Sequence, residues 1–147
     1  MSSFEGKRIV ITGASRGVGY ESAKMFLAAG AEVLGTGRNQ ERLEKSAVEL
    51  NKIGRFVPVN VDFDDPKGPE KLVQAVADTW PALDILINNA AVQTYKKDWF
   101  DEGLDMLAQQ WQCNVFAPHE LIYRLVPLLE KGNDPRIVNL GSGAGNA

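Results

Sequence analysis

Cysteine and histidine are almost absent from this chain: one of each, Cys113 and His119, stands among 147 residues. A single thiol excludes an internal disulfide, and so few soft ligands exclude the clustered donor sets of zinc sites; no metal site is expected. No apolar run approaches the roughly 20 residues that a membrane-spanning helix needs. The opening residues, Met1-Ser2-Ser3-Phe4-Glu5-Gly6-Lys7, lack the apolar segment of a secretory signal. Positive charge is not in excess either. A formal net charge of −3 leaves no basic stripe for nucleic acid. Repeats, low-complexity tracts and linkers are missing, so residues 1–147 read as one domain. With 44% hydrophobic and 24% charged residues, the composition is that of an ordinary globular protein, expected in a reducing cytoplasm. Cys113 reads as an inert core thiol, His119 as a surface or interface residue, and Trp80, Trp99 and Trp111 as packing residues.

What is present begins with Thr12-Gly13-Ala14-Ser15-Arg16-Gly17-Val18-Gly19, between the apolar run Arg8-Ile9-Val10-Ile11 and an amphipathic segment. Strand, glycine turn and helix in that order make a phosphate-binding corner. A helix N-terminus carries unpaired N–H groups and the positive end of the helix dipole, and glycine lets backbone approach a pyrophosphate. A dinucleotide is the expected ligand.

Short apolar runs alternate with helical patterns along the rest of the chain. Strands are expected at Arg8–Thr12, Glu32–Thr36, Arg55–Val61, Leu83–Asn88 and Arg136–Leu140. Helix ends are expected at Gly30 and Gly54. Asn39 reads as the N-cap of the second helix, and Asp65 with Pro66 as the start of the third. Val18, Ser22, Phe26 and Ala29 fall at helical spacing and predict the sheet-facing stripe of the first helix. A helix is expected over Leu104–Lys131. Such alternation implies an α/β, doubly wound parallel sheet with helices on both faces and ligands at the carboxyl ends of the strands.

Four segments in order carry a resemblance: the glycine turn, Asn88-Asn89-Ala90-Ala91, Asn114 inside a long helix, and Ile137-Val138-Asn139-Leu140-Gly141-Ser142. Together they resemble the short-chain dehydrogenase/reductase family over essentially the whole chain. The resemblance implies a Rossmann sheet of order 3-2-1-4-5 and reversible, NADPH-dependent reduction of a ketone or other small carbonyl substrate to an alcohol. It carries cofactor contacts onto Gly13, Ser15, Arg16, Gly17, Val18 and Gly19 in the turn. It places the adenine contact at Asp62 with Phe63 beside it, and the cleft floor at Asn89, Ala90 and Ala91. Ala91 stands where the family usually has glycine. Thr12 and Asn88 read better as ties between strands.

Charge argues for NADP(H) over NAD(H). NAD-preferring members end the second strand in an acidic residue that grips the ribose and repels a 2′-phosphate. Here Gly37 takes that position, Arg38 follows, and Arg16 adds a second cation. Two guanidiniums without a carboxylate suit a phosphomonoester.

The resemblance gives Asn114 and Ser142 catalytic positions. Pro118 lies four residues after Asn114 and has no N–H, so the Asn114 carbonyl loses its helical donor and could hold a water for proton relay. The family's Tyr-x-x-x-Lys is expected after Ser142, where five residues remain. Tyr20, Tyr95 and Tyr123 all precede Ser142, and none is read as a substitute. The C-terminal part of the family fold is therefore expected to be absent, leaving the 147-residue chain incompetent alone. The fifth strand is expected at an open edge. Leu121, Ile122, Leu125, Leu128 and Leu129 predict surplus apolar surface, hence a homo-oligomer through the Leu104–Lys131 helix. A non-catalytic NADP(H)-binding module that pairs with another chain is the alternative. The Gln93–Phe100 segment is expected to rim the site.

Overall fold

A computed structural model describes residues 3–93 and 103–143. Five parallel strands run in the order β3-β2-β1-β4-β5: β1 Arg8–Ile11, β2 Glu32–Gly37, β3 Phe56–Asn60, β4 Ile85–Asn88 and β5 Arg136–Asn139. The expected order and strands are present, with several ends moved by one or two residues. The helices are α1 Gly17–Ala28, α2 Gln40–Leu50, α3 Gly68–Thr79, α4 Gly103–Trp111 and α5 Ala117–Leu129.

Strand alternation sorts the core into two layers. Ile9, Ile11, Val33, Ile85 and Ile87 pack with Ala23 and Leu27 of α1 and Leu43, Ala47 and Leu50 of α2. Val10, Leu34 and Leu86 face the opposite way, onto Leu72 and Val76 of α3 and Leu121, Leu125 and Leu129 of α5. The α1 stripe is one residue away from the expected one. Gly19, Ala23 and Leu27 are buried, whereas Val18 is 60% exposed. Small residues face the sheet because α1 lies too close for a larger side chain at its start.

Helix ends follow local hydrogen bonding. Gly30 has φ +90°, and the N–H of Ala31 reaches the Phe26 carbonyl at 3.0 Å, a left-handed stop for α1. Asn39 caps α2 by accepting from the Arg42 N–H at 2.9 Å. Two expected ends differ. α2 finishes at Leu50, before Gly54, because Asn51 spends its amide on the Ala47 and Phe56 carbonyls. α3 starts at Gly68 rather than Pro66, because the Asp65 carboxylate accepts from the Lys67 N–H and closes a separate turn first.

The expected Leu104–Lys131 helix is interrupted. Residues Gln112–Phe116 form a π-helical turn, with the Ala117 N–H on the Gln112 carbonyl. Pro118 cannot supply the N–H that would continue the regular ladder, so the turn widens before it. Surplus apolar surface also falls elsewhere than expected. The α5 leucines are buried, and Ile122 and Leu128 pack against the same core. Leu104, Leu107, Trp111, Phe116 and Tyr123 are the exposed ones on this stretch. Among the described residues β5 pairs only with β4 and is exposed along its length.

Asp84 joins three strands at the amino end of the sheet. Its carboxylate accepts from the N–H groups of Arg8 at 2.8 Å and Asn133 at 2.7 Å, and its carbonyl accepts from Arg136 at 2.9 Å. Truncation would leave two N–H groups short of partners, each costing about 1–3 kcal/mol where water cannot replace the carboxylate. Asp84→Ala is expected to lower the melting temperature clearly, while Asp78→Ala, on the exposed face of α3, leaves it nearly unchanged; thermal unfolding checks this.

Candidate dinucleotide-binding site

The glycine turn is held from both sides. Toward β2, the Gly13 N–H donates to the Thr36 hydroxyl at 3.1 Å and the Ala14 N–H to the Thr36 carbonyl at 2.7 Å. Toward β4, the Thr12 hydroxyl accepts from the Asn89 and Ala90 N–H groups at 3.0 and 2.9 Å. The Asn89 side-chain amide donates to the Thr12 and Gly13 carbonyls at 3.1 and 3.0 Å. From α2, the Ser46 hydroxyl donates to the Ser15 carbonyl at 2.7 Å.

Glycine is needed here for two different reasons. Gly13 and Gly17 have φ of +68° and +60°, a region that disfavours side chains. Gly19 has an ordinary conformation but no room: a Cβ would lie 2.0 Å from the Gly13 carbonyl oxygen. This contact seats the first turn of α1 against the end of β1. No side chain caps α1, and the Tyr20 N–H makes a helical bond to Arg16 only at 3.4 Å.

That helix end opens onto a cleft of about 680 Å³. Of the expected contact residues, Gly13, Ser15, Arg16, Gly17, Arg38, Asp62, Phe63, Asn89, Ala90 and Ala91 line it. Val18 and Gly19 do not; one is exposed outside, the other buried behind the turn. Phe63 is 7% exposed and belongs to the core, so it offers the cleft little of its ring. Asp62 accepts from the Asp64 N–H at 3.0 Å, which orients its carboxylate within its own turn. At Gly37 a Cβ would come within 3.1–3.2 Å of Leu43 and Ser15, so an acidic side chain at the end of β2 would be crowded as well as absent.

Sequence reasoning missed several residues. Thr36, Asn39, Arg42, Val61, Val92 and Cys113 also line the cleft. Their signal was position: Asn39 and Arg42 lie just past Arg38. Thr12 and Asn88 act as strand ties, as read. The Asn88 amide donates to the Asn139 side-chain oxygen at 2.9 Å across β4 and β5.

Asn114 and Ser142 are not in this cleft wall. The Asn114 side chain is engaged with the Val92 backbone, accepting from its N–H and donating to its carbonyl, both at 2.8 Å. It fixes the loop after β4 against the π-helical turn. Ser142 is exposed, three residues beyond β5 at the carboxyl edge. Tyr20 and Lys24 do have Tyr-x-x-x-Lys spacing, although they precede Ser142. They lie on α1, the ammonium 5.7 Å from the ring centroid, and neither lines the cleft. His119 is exposed, its Nδ1 2.7 Å from the Val115 carbonyl. Tyr95, Trp99, residues 94–100 of the expected rim and residues 144–147 lie outside the described residues. Among the described residues no cluster suits a metal ion and no helix is long and apolar enough to cross a membrane.

A parallel sheet whose first strand turns through close-packed glycines onto an uncapped helix defines the class of Rossmann dinucleotide-binding proteins. More particularly, a family model for the short chain dehydrogenase matches residues 7–147, and the chain belongs to that family. It is 31% identical to the rhamnolipid-biosynthesis 3-oxoacyl-acyl-carrier-protein reductase of Pseudomonas aeruginosa, over 97% of this chain and 57% of that protein. A Pseudomonas aeruginosa structure described as an active-site complex with NADP superposes with TM-score 0.87 at 30% identity, over 100% of this chain and 59% of that one. L-sorbose reductase of Gluconobacter frateurii, solved with NADPH and L-sorbose, gives TM-score 0.81 at 30% identity, over 89% and 51%. The chain thus spans little more than half the length of each.

Cys113 is 5% exposed, on the cleft wall. Burial pushes its thiol from 9.0 up to about 11, and the carboxylates of Asp64 and Asp62 act in the same direction against Arg38. The unfolded chain therefore loses this proton first. The stability that the protonated thiol contributes is complete below about pH 9 and lost as pH rises toward 11. Stability of Cys113→Ala is expected to fall less steeply than wild type across that window; denaturant titrations at its two ends measure the difference.

Proposed function

We propose that the chain is the NADP(H)-binding portion, a single domain over residues 1–147, of a cytoplasmic short-chain reductase. The reaction is reversible reduction of a small ketone or other carbonyl compound to an alcohol. One observation carries the cofactor assignment: the uncapped α1 N-terminus opens onto a cleft whose β2 end has Gly37, Arg38 and Arg16 and no carboxylate at the strand end. The N–H groups of the glycine turn suit a pyrophosphate, and the two guanidiniums suit a 2′-phosphate. In this reading Asp62 accepts from the adenine amino group, and Asn89 and Ala90 line the floor of the cofactor cleft with Ala91 beside them. The NADP and NADPH complexes of the two structural relatives support this reading.

The chemistry the cofactor supplies when bound is a hydride for the carbonyl carbon. In this reading the Ser142 hydroxyl donates a hydrogen bond to the carbonyl oxygen, where negative charge develops. Asn114 contributes through its backbone carbonyl, which Pro118 cannot reach as a donor, while its side chain holds Val92 in place. In this reading proton donation belongs to a Tyr-x-x-x-Lys pair, a role given to no described residue of the chain. The exposed groove of Leu104, Leu107, Ala108, Trp111 and Phe116 supports self-association along α4 and the π-helical turn.

In the natural full-length protein, Arg38→Asp is expected to lower the NADPH-to-NADH ratio of kcat/KM by about 10- to 100-fold, the equivalent of one or two charge-assisted hydrogen bonds. An unchanged ratio would remove the cofactor assignment. Ser142→Ala is expected to depress kcat by about 100-fold or more with NADPH affinity retained. Tight NADPH binding with no oxidation by any ketone or aldehyde in a broad panel would favour the binding-module alternative.

A further inference from the structure

Three arginines, Arg16, Arg38 and Arg42, line the cleft, although the expected cofactor contacts use only two. Arg42 lies in the first turn of α2 and lines the cleft beside Ser15, Arg16, Gly37, Arg38 and Asn39. A cation is disfavoured there, because the dipole already makes a helix N-terminus positive. Nearby carboxylates do not neutralise it. Glu41 is paired with Lys45 at 3.0 Å, and Glu44 accepts from Gln40 at 2.9 Å. Arg55, Arg124 and Arg136 pair with Glu32, Glu120 and Asp134. Among the described residues Arg16, Arg38 and Arg42 make no ion pair.

We propose that Arg42 is a specificity-determining residue: its guanidinium closes the site for a phosphomonoester from the α2 side, opposite Arg16 of the glycine turn. The inference rests on the NADP(H) reading above and assigns the discriminating contact to a third element. Asn39 makes the placement stable. By accepting from the Arg42 N–H it fixes the start of α2 and leaves the Arg42 side chain, which is exposed, free of any capping role. A dianion held this way gains from the guanidinium and from the helix end together. A ligand without the 2′-phosphate gains from neither.

The test uses two probes on the full natural chain, 2′,5′-ADP and 5′-ADP, with affinities measured by calorimetry for wild type and Arg42→Gln. Because the Arg42 side chain is exposed and the cap uses only the Arg42 backbone N–H with the Asn39 side chain, the variant is expected to unfold at the wild-type temperature. Arg42→Gln is expected to weaken 2′,5′-ADP about tenfold, equivalent to about 1.4 kcal/mol, and to leave 5′-ADP unchanged. Arg42→Lys should restore part of the loss, since it keeps the charge without the fork. Equal binding of 2′,5′-ADP by wild type and Arg42→Gln overturns the role of Arg42 while leaving the NADP(H) reading in place. Parallel weakening of both probes also overturns it, because the effect is then not on the monoester. If wild type itself binds the two probes alike, the NADP(H) reading fails and takes this inference with it.

Discussion

The carboxyl edge of the sheet depends on one contact that leaves no room for a methyl group, Gly19 against the Gly13 carbonyl. It brings the first turn of α1 onto the end of β1, and the other edge residues fit around that approach. Thr12 accepts two backbone N–H groups from the end of β4, and Asn89 returns two hydrogen bonds to the carbonyls of Thr12 and Gly13. These bonds fix the separation of two strand ends that the glycine turn must bridge. The helix N-terminus is thereby aimed by backbone and buried side chains rather than by any group that must also bind ligand.

The opposite edge is built on another principle. There Asp84 gathers the starts of β1, β4 and β5, and Glu32 accepts from the Trp80 indole at 2.7 Å and from Arg55 at 3.0 Å. Polar groups at the amino edge are matched with one another. At the carboxyl edge cations and N–H groups are left for something else. A parallel sheet has its ligand site at one end only, and here the division extends to how charge is spent.

The strand order was legible because each strand is a short, nearly continuous apolar run, and parallel neighbours follow from right-handed crossovers. The phosphate-binding corner was legible because glycine spacing and position after β1 were both present. What could not be read shares one physical origin: side chains whose role depends on a partner distant in sequence. Periodicity chose Val18 and Phe26 for the sheet face of α1, but proximity of Gly13 selected Gly19, Ala23 and Leu27. Pro118 signalled an irregular helix, yet the width of the π-helical turn and the grip of Asn114 on Val92 needed coordinates. Arg42 gave only the weak signal of its position past Arg38, because a cation in a first helical turn is usually a solvated charge. Cys113 was legible as a buried thiol and not as cleft wall.

Coverage of the apolar surface differs across the sheet in a way that bears on function. Around β1 and β2 the core is closed: Ile9, Val10, Ile11, Val33 and Leu34 are fully buried between α1 and α2 on one face and α3 and α5 on the other. The cleft belongs to this closed half. Val18, Met25 and Val48 are exposed on the outer sides of α1 and α2. A second group of exposed apolar residues lies on α4, the π-helical turn and β5 with the residue after it, at Leu104, Leu107, Trp111, Phe116, Ile137, Val138 and Leu140. Residues that hold a dinucleotide are therefore organised by contacts internal to the chain. Asn114 and Ser142 sit in or next to the half that carries this exposed apolar surface. A surface of that kind gains free energy when a partner or further chain covers it. Val92, which Asn114 holds by two hydrogen bonds, is the point where that half meets the cleft wall.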